Sequence, residues 1–179
     1  SPDQTLVLVN GTRRHASALV NVNGTVGRGS AAVDLNAIPS GALDRVEVLR
    51  DGASAQYGSD AIAGVVNLRL KEAREGGGAS VTYGQYFTNV ETARGKRDEQ
   101  DGRAVTVSAW QGFGLGSDGF LTLSAEYSDR DPTNRSDYDP RPAANGAITA
   151  RFGDPKVEQW SVFANAGKPL NADWEAYGW

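Results

Sequence analysis

The 179-residue sequence contains no cysteine, no methionine, one histidine and seven prolines. Without cysteine there is no disulfide, no thiol nucleophile and no thiolate-held metal. The missing methionine, the lack of a signal-peptide pattern ahead of "SPDQTLVLVN" and the strand-like ending "NADWEAYGW" lead to the expectation of an excised or processed segment of a longer chain. Positive charge is not in excess: the net charge is -4 and the pI near 5.0, which leaves no basic footprint for nucleic acid. No apolar run reaches the ~18–20 residues of a membrane helix, and the mean hydropathy is -0.45. A helical membrane protein is excluded. A β-barrel is not, because its alternating strands average out as polar.

Signs of chemistry are equally sparse. His15 follows Arg13 and Arg14, but a catalytic histidine needs an oriented nucleophile and an acidic partner, and no Gly-x-Ser-x-Gly elbow occurs. "GTVGRGS" lacks the Lys-Ser/Thr of a phosphate-binding loop and reads as a flexible loop. Asp129, Asp131, Asp137 and Asp139 offer hard oxygen donors of the kind Ca²⁺ takes. The spacing of a calcium loop and its closing glutamate are missing, however, and Arg130, Arg135 and Arg141 compete for the carboxylates. The expectation is a non-enzyme with no catalytic residue, no metal and no cofactor.

What the chain does have is glycine, at 22 residues, and β-strand patterning. "TLVLVNGTRR" predicts a buried strand over residues 6–9 running into an Asn10-Gly11 turn, the strongest short hairpin signal. "AVDLNAIP" predicts a brief extended piece ended by Pro39, and Ser40 a cap for one helical turn. Residues 45–49 alternate, Val46 and Val48 against Arg45 and Glu47. A short helical stretch is expected around residues 54–57, then a strand over 64–70 with Val65 and Val66 buried. After "KEAREGGG" five strand-length segments follow, at 79–87, 103–115, 119–130, 156–167 and 172–179. Val105, Val107, Ala109 and Phe113 fall on one face of the second, Thr106, Ser108 and Trp110 on the other; Leu121, Leu123, Ala125 and Tyr127 repeat the apolar face in the third. All but the last meet the ~9–11 residues of a bilayer-crossing strand. Connections alternate between long (88–102, 131–155) and tight ("GSDG", "KPLN"), as at the two rims of an outer-membrane barrel. "ETARGKRDEQDGR" reads as a solvated mixed-charge loop. Trp110, Trp160, Trp174 and Trp179 are candidates for aromatic girdles or for core positions.

The stretch "DRVEVLRDGASAQYGSDAIAGVVNLRLK", residues 44–71, carries a resemblance. Arg45, Glu47, Leu49, Arg50, Ser54, Tyr57, Gly58, Ala61, Gly64, Val65, Val66, Asn67 and Lys71 stand in the order in which TonB-dependent outer-membrane transporters end their plug domain, and "LVNGTR" is similar to an upstream strand end of that family. Two positions depart: Asp51-Gly52 stands where the family has Gly-Pro, and Leu70 where it has Thr.

The resemblance implies a β-rich fold in which a small α+β plug segment, residues 1–71, and a Gly-rich linker, 72–78, precede the first five or so antiparallel transmembrane strands, 79–179, of an incomplete, plugged 22-stranded β-barrel. It implies TonB-dependent import of a scarce, bulky solute (siderophore, cobalamin or oligosaccharide class) across the bacterial outer membrane. The partners are outer-membrane lipid, the imported ligand and a TonB energy-coupling complex whose contact peptide lies outside the sequence. Arg45, Glu47 and Arg50 would meet charges on the barrel wall, and Val46 and Val48 would pack inside the plug. Arg13, Arg14, His15, Asn21 and Asn23 would face the substrate, and Asn10, Gly11, Tyr57, Gly58, Gly64 and Asn67 would hold the plug motif. The contrasting reading is a soluble secreted or periplasmic β-rich carbohydrate-binding or adhesin module, which would bury its Val and Leu faces.

Overall fold

A computed structural model describes residues 4–18, 20–22, 27–50 and 52–179. Asn23, one of the expected substrate-facing residues, lies outside the described residues. The chain forms two compact units, one of Ser1–Gly78, Trp110–Ala125 and Val162–Trp179, the other of Ala79–Ala109 and Glu126–Ser161. No described helix is long and apolar enough to cross a membrane.

Strands β1 (Thr5–Val9), β2 (Thr12–Arg13), β3 (Leu43–Leu49) and β4 (Gly64–Leu70) build a first sheet in the order β2-β1-β4-β3. The apolar run of β1 is buried on both faces, as a central strand paired in parallel with β4 requires. Leu6 and Leu8 pack on one side with Ala53, Ala61 and Val65. On the other side Val9 joins Ile38, Ala42, Leu68 and Leu70, with Phe163 against them. Asn10 and Gly11 adopt left-handed φ of 48° and 81° and close the β1–β2 hairpin in the register Val9 to Thr12.

Several local expectations change. Residues 33–38 form no strand; Asp34 accepts the Asn36 amide and caps a 3-10 turn over Leu35–Ala37. Ser40 is the first residue of the next 3-10 turn rather than its cap, the capping position being held by Pro39. The helical stretch is α1 (Ala53–Tyr57), entered through Gly52 at φ 69°. Proline is locked near -65°, so the chain here cannot take the turn a Gly-Pro pair would give. Val46 and Val48 are 52% and 60% exposed rather than packed inside. β3 is the edge strand of this sheet, and no described element lies over that side of it.

The second sheet is a meander of β5 (Gly77–Thr92), β6 (Gly95–Leu115), β7 (Gly119–Arg130), β8 (Val157–Pro169) and β9 (Glu175–Gly178) in sequential order. Its alternation is inverted relative to a soluble sheet. In the first unit Thr122, Ser124 and Asn165 are buried, while Phe113, Leu123 and Val162 are exposed on the opposite face. In the second unit the Ser80 and Ser108 hydroxyls meet at 2.9 Å and Thr106 and Ser128 at 3.2 Å, while Val81, Tyr83, Phe87, Val107 and Trp160 are open. The buried positions of β6, β7 and β8 are all serine, threonine, asparagine or glycine, whereas in β5 Val90 is buried. Trp110 alternates onto the covered face with Ser108 and lies beneath the Lys71 ammonium, 5.5 Å from its ring centroid, so it is not a girdle residue. Trp160, Trp174 and Trp179 are exposed.

The expected long loop over 88–102 is a hairpin with a two-residue turn at Ala93 and Arg94. The charge run lies within strands, where like periodicity and opposite sign make pairs: Lys96 with Glu91 across the hairpin at 2.7 Å, and Arg97 with Glu99 at 2.6 Å. Gly102, at φ 61°, reverses which parity is covered: Arg97, Glu99 and Asp101 before it, Thr106 and Ser108 after it. Such a left-handed glycine is the means by which a bulge re-aims a strand. Residues 131–156, by contrast, are irregular but ordered. Arg135 grips the Asp101 carboxylate with both terminal nitrogens, at 2.5 and 2.8 Å, and the Asn134 amide donates to it at 3.0 Å. Arg103 spans Asp129 and Asp131, and Arg141 takes Asp139.

Two substitutions test the reversal. A Cβ at Gly102 would come within 2.6 Å of the Tyr86 ring and 2.7 Å of the Thr133 methyl, so Gly102→Ala should destabilise the folded protein by about 1–3 kcal/mol, the cost of a non-glycine residue held left-handed. Gly84→Ala, where nothing lies within 4 Å, should change stability by less than ~0.5 kcal/mol. Urea midpoints in lipid vesicles compare the two.

The Asp101 carboxyl is held below the ordinary aspartate value, first by its hydrogen bonds to Arg135 and then by the Asn134 amide, against the cost of burial. A depressed folded value means the contribution is complete above the unfolded pKa near ~3.9 and is lost as pH falls through the lower folded value. Protease cleavage of the 131–156 ribbon in the intact protein should therefore stay constant from neutral pH to about 4 and rise only below that; the Asp101→Asn variant should already be cleaved faster at neutral pH.

Candidate functional site

Two groups of residues concentrate the polar chemistry of the first unit. The first ties three strands of the first sheet together. The Gly11 amide donates to Asn67 Oδ1 at 3.0 Å, and Asn67 Nδ2 donates to Glu47 Oε2 at 2.8 Å. Arg45 Nε then donates to Glu47 Oε1 at 2.9 Å and its Nη1 to Asp44 at 2.9 Å. Asn10 Oδ1 takes the Leu70 amide at 2.9 Å, while the Asn10 amide donates to the Leu68 carbonyl. The hairpin turn, β4 and β3 are thus joined by side chains far apart in the sequence, from Asn10 to Asn67, with Glu47 between them.

Tyr57 lines the groove beside this relay with Glu47, Leu49, Val65 and Asn67. Gly58 ends α1, and Gly64 begins β4 so close to β3 that a Cβ would stand 2.6 Å from the Leu49 carbonyl oxygen. Arg45 and Glu47 are exposed and meet each other and Asn67, and Arg50 is exposed. The Glu47 carboxyl lies below the usual glutamate value, chiefly because Asn67 donates to it and then because Arg45 does, with burial opposing.

Of the expected substrate-facing residues, three come together. Arg13, Arg14 and His15 line a pocket of about 240 Å³ with Thr5, Val33 and Asp60, and Arg13 pairs with the Asp60 carboxylate. Asn21 stands apart, in a loop where its amide bonds the Ser30 carbonyl and its carbonyl the Gly29 amide. Asp60 was not legible as a partner, because nothing local ties it to a residue 47 positions away.

The second group seats the Gly-rich linker on the covered polar face of β6, β7 and β8. Thr122 Oγ1 accepts the Ala73 amide at 3.0 Å and donates back to the Ala73 carbonyl at 3.4 Å. Asn165 Nδ2 donates to the Lys71 carbonyl at 3.0 Å. The Gly76 carbonyl receives both the Gly112 amide at 2.9 Å and Gln111 Nε2 at 2.7 Å. Gly112 is required by this approach: a Cβ there would lie 2.7 Å from the Ala73 carbonyl oxygen. Lys71 Nζ bonds the Leu43 carbonyl, and Arg74 reaches the Gly116 carbonyl at 3.3 Å. Thr122 and Asn165 are 2% and 4% exposed. Sequence reading had no purchase on either, since an inward polar residue in an alternating strand looks alike whether or not a linker sits on it. No group of three or more metal-ligating side chains occurs among the described residues.

Comparison with known proteins follows the same division. The family described as TonB-dependent Receptor Plug Domain matches residues 1–65. The vitamin B12 transporter BtuB of Vibrio cholerae serotype O1 is 30% identical over 178 residues, covering 93% of the chain and 24% of the transporter. That of Vibrio vulnificus is 37% identical over 82 residues, 46% of the chain and 12% of the transporter. The chain thus spans about a quarter of the length of the first of these relatives. Among solved structures, the ferric enterobactin receptor PfeA of Pseudomonas aeruginosa in complex with enterobactin superposes over 96% of the chain and 24% of its own, with a TM-score of 0.64 and 23% identity, which shows the fold. The siderophore receptor PirA of Acinetobacter baumannii gives a TM-score of 0.58 at 25% identity over 96% of the chain and 22% of its own.

Removing the relay's central amide gives a direct check. Asn67→Ala should move the Glu47 titration up toward the ordinary glutamate value, read from its carboxyl carbon resonance in the receptor. An unmoved titration would mean that Asn67 is not what holds Glu47 ionised.

Proposed function

This chain belongs to the TonB-dependent receptors, and from that premise we propose that it forms the C-terminal part of the plug and the first strands of the barrel in an importer that carries a scarce, bulky solute across the bacterial outer membrane. The observation that carries this reading is the inverted second sheet: a covered polar face and an open face of Val81, Tyr83, Phe87, Val107, Trp160 and Val162. In water such a face is a liability, whereas in a bilayer it is the lipid contact. A soluble carbohydrate-binding module would bury those side chains, and this sheet does the reverse.

In this reading residues 1–71 belong to the plug, 72–78 to the linker and 79–179 to the barrel wall. Arg45, Glu47 and Arg50 are the charges that meet the wall. Their exposure along an edge strand supports this, and so does the modest net strength of ion pairs that must be desolvated to form: a plug so held stays seated yet remains displaceable. Arg13, Arg14, His15, Asn21 and Asn23 face the incoming ligand, and the cationic pocket beside Asp60 suits a polar or anionic group on it. The solute is of siderophore, cobalamin or oligosaccharide class, and a TonB energy-coupling complex drives the plug. No covalent step is involved and no residue is assigned a catalytic role.

Uptake assays test the proposal. Cells lacking the receptor are supplied in turn with labelled cobalamin, a ferric siderophore and an oligosaccharide, with and without the full-length receptor. The receptor should restore saturable uptake of one of them, and dissipating the proton-motive force should abolish it. Uptake that persists after uncoupling would indicate a diffusion pore and contradict the reading. The Arg45→Ala/Glu47→Ala receptor should insert and show the same heat-shifted band on gels while its uptake rate changes severalfold.

A further inference from the structure

The linker "KEAREGGG" has the composition of a free tether, yet the structure fastens its backbone to three adjacent strands. Ala73 is held at both its amide and its carbonyl by one buried hydroxyl, Thr122. Asn165 holds the Lys71 carbonyl from β8, and Gly112 and Gln111 hold the Gly76 carbonyl from β6. Lys71 is also fixed from the first-sheet side, its amide to the Ala42 carbonyl and its ammonium to the Leu43 carbonyl, above the Trp110 ring. By contrast β3, on the far edge of the first sheet, is paired only with β4 and leaves its side chains open.

We propose that Thr122 and Asn165 are positioning residues that make Lys71 the point where displacement of the first sheet stops, so that the plug moves and its junction with the barrel does not; this rests on the import reading above. The physics is that of load sharing. A pull transmitted along β4 reaches Lys71 and is divided among bonds to β6, β7 and β8, which must yield together. The Thr122 and Asn165 side chains that make two of these attachments are buried, where water offers fewer replacement partners and hydrogen bonds are electrostatically stronger. A free tether of the same length would instead straighten before any strand carried load, and the barrel end of the plug would drift by the length of the linker in each cycle.

The experiment is force spectroscopy on the full-length receptor in lipid vesicles, pulled by a handle placed ahead of β1. In the wild type, unravelling should end at Lys71, with a distinct higher-force event before any further extension. In Thr122→Val/Asn165→Leu the event at Lys71 should disappear and the first-sheet contour should lengthen by the stretch up to Gly76, which Gly112 and Gln111 still hold. The five residues 72–76, between Lys71 and the start of β5, at ~3.3–3.6 Å each give about 1.7 nm. Thr122→Ser, which keeps the hydroxyl, should restore the wild-type end point. A wild-type trace that runs through residues 72–78 without a separate event overturns the proposal, and so does an identical contour in the double variant. The wild-type end point stands as a test even if the double variant fails to insert. A receptor that imports nothing would still show the stop, and a missing stop would leave uptake assays untouched, so the two readings fail separately.

Discussion

Hydrocarbon offers no hydrogen-bond partner to a polar group, and the second sheet is arranged around that constraint. The buried positions of β6, β7 and β8 are serine, threonine, asparagine or glycine, while Val107, Phe113, Leu123, Trp160 and Val162 stand open on the other face. The inversion decides what else the chain can do. A covered face of hydroxyls and amides is a surface to which a backbone can be fastened, and the linker uses it. An apolar covered face would have left the Lys71 carbonyl and the Ala73 amide without these side-chain partners, at a cost of about 1–3 kcal/mol for each such group once buried.

The first sheet is held by contrasting means at its two ends. Its core is ordinary hydrophobic packing about β1, with Leu6 and Leu8 on one side and Val9 with Leu68 and Leu70 on the other. The relay from Gly11 through Asn67 to Glu47 and Arg45 fixes the turn and the edge strand by charge-assisted bonds at an exposed surface, where solvent screens them and each contributes little. The junction at Lys71 is fixed by bonds to three strands, two of them from the buried side chains of Thr122 and Asn165. Firm packing inside, weak polar fastening on the edge and a strong seat at one end describe a body that can be shifted as a unit.

Much of this was legible because alternation is a direct record of two-sided burial. The strand Gly119–Arg130 matches its sequence pattern residue for residue, and the Asn10-Gly11 turn follows from two left-handed residues. The pattern failed where a single backbone angle overrides it. Gly102 swaps the faces of β6, so residues before it look out of phase and read as a loop; without an Asn-Gly signal at Ala93-Arg94 the hairpin there was invisible. Val46 and Val48 alternate as a buried face should, but the alternation reports only that the two faces differ, not that something covers one of them. The seat was illegible for another reason: Thr122 and Asn165 are joined to partners 49 and 94 positions away, and no local chemistry records such a pairing.

Oxygen accessibility along β8, read by spin labels placed singly from Ser161 to Ala166 in the full receptor in vesicles, tests the inverted sheet most directly. The labels at 162, 164 and 166 should be accessible to oxygen dissolved in the lipid, and those at 161, 163 and 165 shielded from it, with Val162, now 68% exposed, and Asn165, 4% exposed, at the extremes. The opposite phase, or equal accessibility at all six positions, would mean that the open apolar face does not meet lipid and that this sheet is not a membrane wall.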